Sequence, residues 1–195
     1  MIKERLCVLI SGRGSNLLSI IKSCREKDFP AKVKLIVSNK PKAPGLKYAK
    51  QYKIPSKVIT KNFENTLLKA LDRHNIDIIC LAGFMKILSK KFIRQSYRVI
   101  INIHPSLLPK YKGLNTHQRA IKNKEKFSGC TVHYVNGELD SGNIILQSKV
   151  KIAKNETKES LENKILKKEW ALYPRAIKQY CKEIKRYYWK IGGTA

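Results

Sequence analysis

Asn102 and His104 stand one residue apart in the run Asn102-Ile103-His104-Pro105-Ser106-Leu107-Leu108-Pro109. The apolar run before them, Val99 to Ile101, reads as a buried strand. Side chains alternate along a strand, so the amide and the imidazole share one face at its carboxyl end. Pro105 and Pro109 stop regular pairing and stiffen the exit. An imidazole changes charge near neutrality, which suits it to moving a proton. In open α/β sheets this edge is where ligands bind. The same residues also suit a strand end whose Asn and His only tie down loop backbone.

Three other stretches carry chemistry. Ser11-Gly12-Arg13-Gly14-Ser15-Asn16-Leu17 joins a strand-like run to a helix-like one. Its glycines allow a sharp turn, and the amides of Gly14, Ser15 and Asn16 would face outward at a helix N-terminus that favours an anion. The loop lacks the Gly-Lys-Ser/Thr of a nucleotide triphosphate loop and the third glycine of a dinucleotide fingerprint, so a single phosphate suits it. The alternative is a glycine turn with Ser15 as helix cap. Gly83-Phe84-Met85-Lys86-Ile87-Leu88 leaves a strand yet stays apolar. It reads as a pocket wall for a flat ring, or as plain core. Glu138-Leu139-Asp140-Ser141-Gly142 places carboxylates at a turn in a chain with 14 Asp and Glu against 41 Lys and Arg. There Asp140 either accepts a hydrogen bond from His104 and holds it as imidazolium, or serves as an Asx turn residue.

These residues need elements to position them. Arg5–Ser11, 32–38, 56–59, Asp77–Ala82 and Val99–Asn102 read as strands, separated by helices near 17–27, 46–52, 63–74 and 89–95. Ser89 is placed to cap the last of these. Alternation of this kind implies a parallel sheet with right-handed crossovers. After Gly113 comes a helix at 116–122, then two strands, 129–135 and 143–152, forming an antiparallel pair. A long helix runs from about Thr157 to Ile184, with Leu161, Ile165, Ile177 and Cys181 as its buried stripe and a kink expected at Pro174. Gly192 to Ala195 reads as a frayed tail. The fold class is α/β: a mostly parallel twisted sheet flanked by helices, with a late antiparallel pair and a long C-terminal helix. One domain, 1–195, is expected.

Hydrophobic residues make up 43% and charged residues 28% of the 195, a globular composition with no run near the ~20 apolar residues of a membrane span. No signal-peptide pattern follows Met1 to Leu6, and a cytoplasmic protein is expected. Cys7, Cys24, Cys80, Cys130 and Cys181 are odd in number and have no zinc spacing, with Cys7 and Cys80 in apolar runs as buried hydrophobes. The net charge is +27, yet only nine of the 41 cations are Arg. Lysine spread over every helix reads as a solvated surface, and no specific nucleic acid is expected.

The motifs, in order, resemble the phosphoribosylglycinamide formyltransferases, a folate-dependent formyltransferase family. The resemblance rests on Ile10–Leu17, Ser38-Asn39-Lys40, Leu81–Ser89, Asn102–Gly113, Gly129–His133, Asp140-Ser141-Gly142, Glu169 and Tyr173-Pro174, and runs from about Arg5 to Ile184. It implies a Rossmann-like fold, with a phosphate-binding half of about 1–100 and a folate and catalytic half of about 101–190. It implies transfer of a formyl group from 10-formyltetrahydrofolate to the amine of glycinamide ribonucleotide, without metal. It makes Asn102, His104 and Asp140 the catalytic trio, and Gly14, Ser15 and Asn16 the phosphate loop. Ile103, Pro105 and Glu169 would meet the substrate, Glu169 at its amino end. Met85, Lys86, Ile87, Leu88, Asn102, Leu139 and Asp140 would meet the folate. The resemblance further implies small-molecule substrates, no membrane, and a monomer or weak dimer. Two departures stand out. The segment between Ile59 and Asp77 is shorter than is usual for the family, and the arginine often found there for the folate tail has no clear counterpart, leaving Lys61 as a substitute. Asn115 replaces a more usual histidine. A methionyl-tRNA formyltransferase, a formyltetrahydrofolate deformylase and a basic nucleic-acid-binding module are the rival expectations.

Overall fold

The computed structural model describes residues 3–190, with side chains as far as Ile184. The tail Gly192 to Ala195 lies outside the described residues. In chain order the elements are β1 (Glu4–Ile10), α1 (Ser15–Cys24), β2 (Ala31–Ser38), α2 (Lys47–Gln51), β3 (Ser56–Val58), α3 (Phe63–Arg73), β4 (Ile78–Leu81) and α4 (Lys90–Ser96). Then follow β5 (Val99–His104), α5 (Thr116–Lys122), β6 (Phe127–Tyr134), β7 (Ile144–Lys151) and α6 (Lys158–Lys190).

The strands form one seven-stranded sheet in the order β3-β2-β1-β4-β5-β6-β7. Pairing is parallel from β3 to β5, and antiparallel at β5–β6 and β6–β7. The order reverses at β1: β2 pairs on one side and β4 on the other, which opens a crevice at the carboxyl ends of the strands. β1 is apolar at every position from Leu6 to Ile10 because both its faces are covered. Leu6, Val8 and Ile10 pack with α1 and α6, and Cys7 and Leu9 pack with α3 and α4.

The buried stripe of α6 is as expected: Leu161, Ile165, Ile177 and Cys181 are fully buried. The helix continues through Pro174. Tyr173, on the same stripe, donates from its hydroxyl toward the carbonyls of Leu81 and Ile101, both at 3.0 Å. It thereby fastens α6 to the ends of β4 and β5. Ser89 caps α4, accepting from the amide of Phe92 at 3.0 Å.

Candidate active site

β5 runs two residues further than the expected 99–102, because antiparallel β6 keeps pairing to the end: Asn102 lies opposite His133, and His104 opposite Thr131. Asn102 and His104 share a face. Ile103 points the other way, into the core beneath α6, and is 6% exposed. Strand alternation itself requires that burial.

The loop after His104 is braced by more than its prolines. The Thr131 hydroxyl, fully buried, donates to the Ser106 carbonyl at 2.6 Å and accepts from the Leu108 amide at 3.1 Å. The Gln147 amide donates to the Leu108 carbonyl at 2.9 Å, and the Ser106 hydroxyl to the Lys110 carbonyl at 2.6 Å. Each backbone group so held removes a way for His104 to drift.

Asp140 meets His104 as the sequence suggests: Oδ2 lies 3.2 Å from Nδ1. The same oxygen accepts from the Gly113 amide at 2.9 Å. A fourth member emerges from the register. His133 Nε2 lies 3.2 Å from Asn102 Nδ2 and 3.6 Å from Asp140 Oδ1, while its Nδ1 faces the Tyr134 carbonyl at 2.8 Å. With a proton on Nδ1, Nε2 accepts from the Asn102 amide when the ring is neutral and donates to Asp140 when it is protonated, and either way the Asn102 amide has a second N–H to give. Four polar side chains from β5, β6 and the β6–β7 turn thus form one buried group.

Charge in this group is finely divided. Burial opposes ionisation of Asp140, but the His133 hydrogen bond, the Gly113 amide and the two imidazoles outweigh it and hold the carboxyl below its usual range. Burial pushes His104 below its ordinary value, against the pull of the Tyr111 carbonyl and Asp140. The expectation that Asp140 simply keeps His104 charged therefore meets a counterweight. Both ring nitrogens face acceptors, since Nε2 lies 2.8 Å from the Tyr111 carbonyl. Only the imidazolium satisfies both, and burial resists it first, with His133 and Arg119 adding to the resistance.

The stretch Ser11 to Asn16 turns from β1 into α1 as expected, with one difference. α1 starts at Ser15, and the position before it is Gly14 at φ 74, with no side-chain cap. A side chain on Gly14 would put its Cβ 2.8 Å from the Cα of Gly45. Ser15 is thus no cap, and the first turn carries no acidic residue. The Ser11 hydroxyl donates to Asn39 Oδ1 at 2.7 Å and accepts from the Met85 amide at 2.9 Å, so this loop and the one after β4 are held together.

Asn16 is buried and spends its side chain on Glu169, donating to Oε2 at 2.7 Å. Its own Oδ1 is buried without a partner. Glu169 is 7% exposed, and burial pushes its carboxyl up to about 7 despite the Asn16 hydrogen bond. Among the described residues no hydrogen bond or ion pair joins Glu169 to Asn102, His104 or Asp140. It belongs to the phosphate-loop side.

The apolar loop divides. Leu88 is core at 7% exposure, whereas Met85 and Ile87 are 65% and 77% exposed, so the core reading fails for them. Lys86 is exposed and sets its ammonium 5.6 Å over the Phe63 ring. Pro105 is half-buried. Leu139 is exposed beside Gly113, and the turn that carries it lies against α4, where Gly137 abuts Lys90. Exposed apolar side chains of this kind are the type that can wall a flat ligand. Lys61 is exposed in the turn before α3. A cavity of about 350 Å³ between β3 and α3 shares no residue with any of these groups.

Among the described residues no cluster of three His, Cys, Asp or Glu is arranged to hold a metal ion, and no helix is long and apolar enough to cross a membrane.

Residues 4–177 match the family model described as formyl transferase. The chain is 46% identical over 184 residues to the phosphoribosylglycinamide formyltransferase of Haemophilus influenzae, covering 91% of this chain and 87% of that one. It is 41% identical over 182 residues to the trifunctional purine biosynthetic protein adenosine-3 of Homo sapiens, 90% of this chain against 18% of that protein. Among solved structures, the phosphoribosylglycinamide formyltransferase of Brucella melitensis superposes with a TM-score of 0.87 at 41% identity, covering 92% of this chain and 96% of that one.

Proposed function

The chain belongs to the formyl transferase family, and from that premise we propose that Asn102, His104 and Asp140 perform the transfer, with His133 beside them. The reaction moves the formyl group of 10-formyltetrahydrofolate to the amine of glycinamide ribonucleotide, a step of purine biosynthesis. The observation that carries the site is the 3.2 Å contact between His104 and Asp140 at the carboxyl end of β5.

The neutral amine attacks the formyl carbon, forming a C–N bond and a tetrahedral oxyanion. The free N–H of Asn102 donates to that oxygen, and His104 joins when Nε2 exchanges the Tyr111 carbonyl for it. Negative charge on the oxygen favours the imidazolium that burial resists, so His104 charges when the charge it stabilises appears. The C–N bond to the folate nitrogen then breaks, and the proton lost by the attacking amine ends on that nitrogen. Asp140, ionised between two imidazoles, keeps the proton path open.

The amides of Gly14, Ser15 and Asn16 hold the substrate phosphate. Pro105 and the Ile103 backbone line the cleft between phosphate and amine. Glu169 acts at the amino end of the substrate from the phosphate-loop side. Met85, Lys86, Ile87, Leu88 and Leu139 wall the folate, with Asn102 and Asp140 at its reacting end, and Lys61 takes the tail. Residues 1–195 form a single domain, phosphate-binding over about 1–100 and folate-binding over about 101–190. It works in the cytoplasm on small molecules as a monomer or weak dimer, with no specific nucleic acid partner.

An assay with 10-formyltetrahydrofolate and three competing acceptors tests this reading. Glycinamide ribonucleotide, methionyl-tRNA and water are supplied together, and formyl products are counted. Formylation of the ribonucleotide in large excess is expected. Preferential formylation of tRNA, or release of formate alone, would replace the proposed function.

A further inference from the structure

Arg13 sits inside the phosphate-type loop, between Gly12 and Gly14, yet its guanidinium is turned to α6. There it donates to Glu162 Oε1 at 3.2 Å, with the two side chains 76% and 41% exposed. An exposed pair of this kind is weak and exchanges readily for a better partner. The better partner is a phosphate, whose oxygens match the guanidinium fork and carry more charge than a carboxylate.

The surroundings favour such an exchange. A Cβ built on Gly12 meets nothing within 4 Å, so the loop opens to free space beside Arg13. The first turn of α1 holds no acidic residue. On its other side Glu162 faces His117, whose Nε2 is buried without a hydrogen-bond partner. Burial holds that imidazole below its ordinary value, and Glu162 pulls it the other way.

We propose that Arg13 is a switchable ligand for the substrate phosphate and that Glu162 is the competitor that holds it until phosphate arrives. This rests on the reading of Gly14 to Asn16 as the phosphate site. On binding, the guanidinium leaves Glu162 for the phosphate oxygens. The pair therefore sets how readily phosphorylated substrate enters and leaves.

The two partners of a plain structural brace should act alike when removed, since either loss breaks the same contact. A switch makes them opposite. The experiment titrates inorganic phosphate into wild type, Arg13→Gln, Glu162→Gln and the double variant, following the Gly14 amide by NMR, and measures KM for glycinamide ribonucleotide alongside. Arg13→Gln is expected to weaken phosphate binding and raise KM about 5–20-fold, the scale of one charge-assisted contact. Glu162→Gln is expected to tighten both about 2–4-fold, the scale of releasing a surface pair. In the double variant the gain from Glu162→Gln disappears.

Three results overturn the inference: no change in Arg13→Gln, weakening in both single variants, or a Glu162→Gln gain that persists in full without Arg13. The last would make Glu162 a general repulsive charge. Failure of the wild type to formylate glycinamide ribonucleotide would instead remove the proposed function, while the phosphate titration would still decide the role of Arg13.

Discussion

Asp140 and Glu169 are both buried carboxylates at the carboxyl edge of the sheet, and they are driven in opposite directions. Asp140 is held below its usual range, and Glu169 is pushed up to about 7. Burial penalises both charges. The difference lies in the neighbours: Asp140 faces two imidazoles and a backbone amide, whereas Glu169 faces one side-chain amide and the repulsion of Glu162. The antiparallel half of the sheet thus keeps an anion where proton movement is needed. The parallel half keeps a carboxyl that is half-protonated near neutrality, next to the loop proposed to hold the substrate phosphate.

The largest effects should come from the antiparallel half. Asp140→Asn keeps shape and removes charge, and is expected to lower turnover by about 10³ or more, as loss of an orienting carboxylate does elsewhere. His104→Ala should cost about 10²–10³ in turnover, the scale of a lost oxyanion donor. Both are read from single-turnover rates at saturating substrates. His133→Asn, which keeps a polar group but not the ring, is expected to lower turnover about tenfold, within the range for one supporting contact. No change in His133→Asn would reduce that residue to a packing partner of Asn102.

The pH dependence of stability sharpens the contrast. Glu169 is raised in the folded chain, from 4.5 to about 7, so its contribution is full below 4.5 and is lost as pH rises through 7. Glu169→Gln should abolish that loss and stabilise the chain above pH 7 by up to about 3 kcal/mol, from the shift at ~1.4 kcal/mol per unit. His104 works in the other direction. Lowered from 6.5, it contributes above that value and loses the contribution as pH falls. Urea midpoints from pH 4 to 8 for wild type, Glu169→Gln and His104→Ala separate the two. A Glu169→Gln curve parallel to wild type would mean that Glu169 titrates normally.

The smallest effect concerns the folate wall. Met85→Ala and Ile87→Ala, both exposed, should raise KM for 10-formyltetrahydrofolate a few-fold without moving the urea midpoint, the scale of lost apolar contact. Leu88→Ala should destabilise the fold by about 2–4 kcal/mol, as expected for core truncation. Equal destabilisation by all three would make the loop core throughout.

Much of this was legible in the sequence. β1 and β4 announce themselves as short apolar runs, and Gly14 marks the turn that only a residue without Cβ fits beside Gly45. Asn102 and His104 were visible because polar residues rarely close such a run. His133 was not, because in Cys130-Thr131-Val132-His133-Tyr134 it looks like any outward strand position. Its role depends on register: only the pairing of β6 with β5 puts it opposite Asn102. The burial of Ile103 was implicit in the alternation that placed its neighbours. Glu169 also carried a signal, since it continues the Leu161–Ile165 stripe at the next four-residue step. A carboxylate there must be buried. What no pattern supplied was the balance of charge on His104, which depends on how much water the folded loop excludes.

The most direct test of the site is single-turnover formyl transfer by Asp140→Asn at pH 7.5, with glycinamide ribonucleotide binding measured on the same sample by calorimetry. Unchanged binding with transfer reduced by about 10³ is expected, because the phosphate side is intact and only the charge beside His104 is gone. Transfer near the wild-type rate would contradict the assignment of Asn102, His104 and Asp140 as the centre of the reaction.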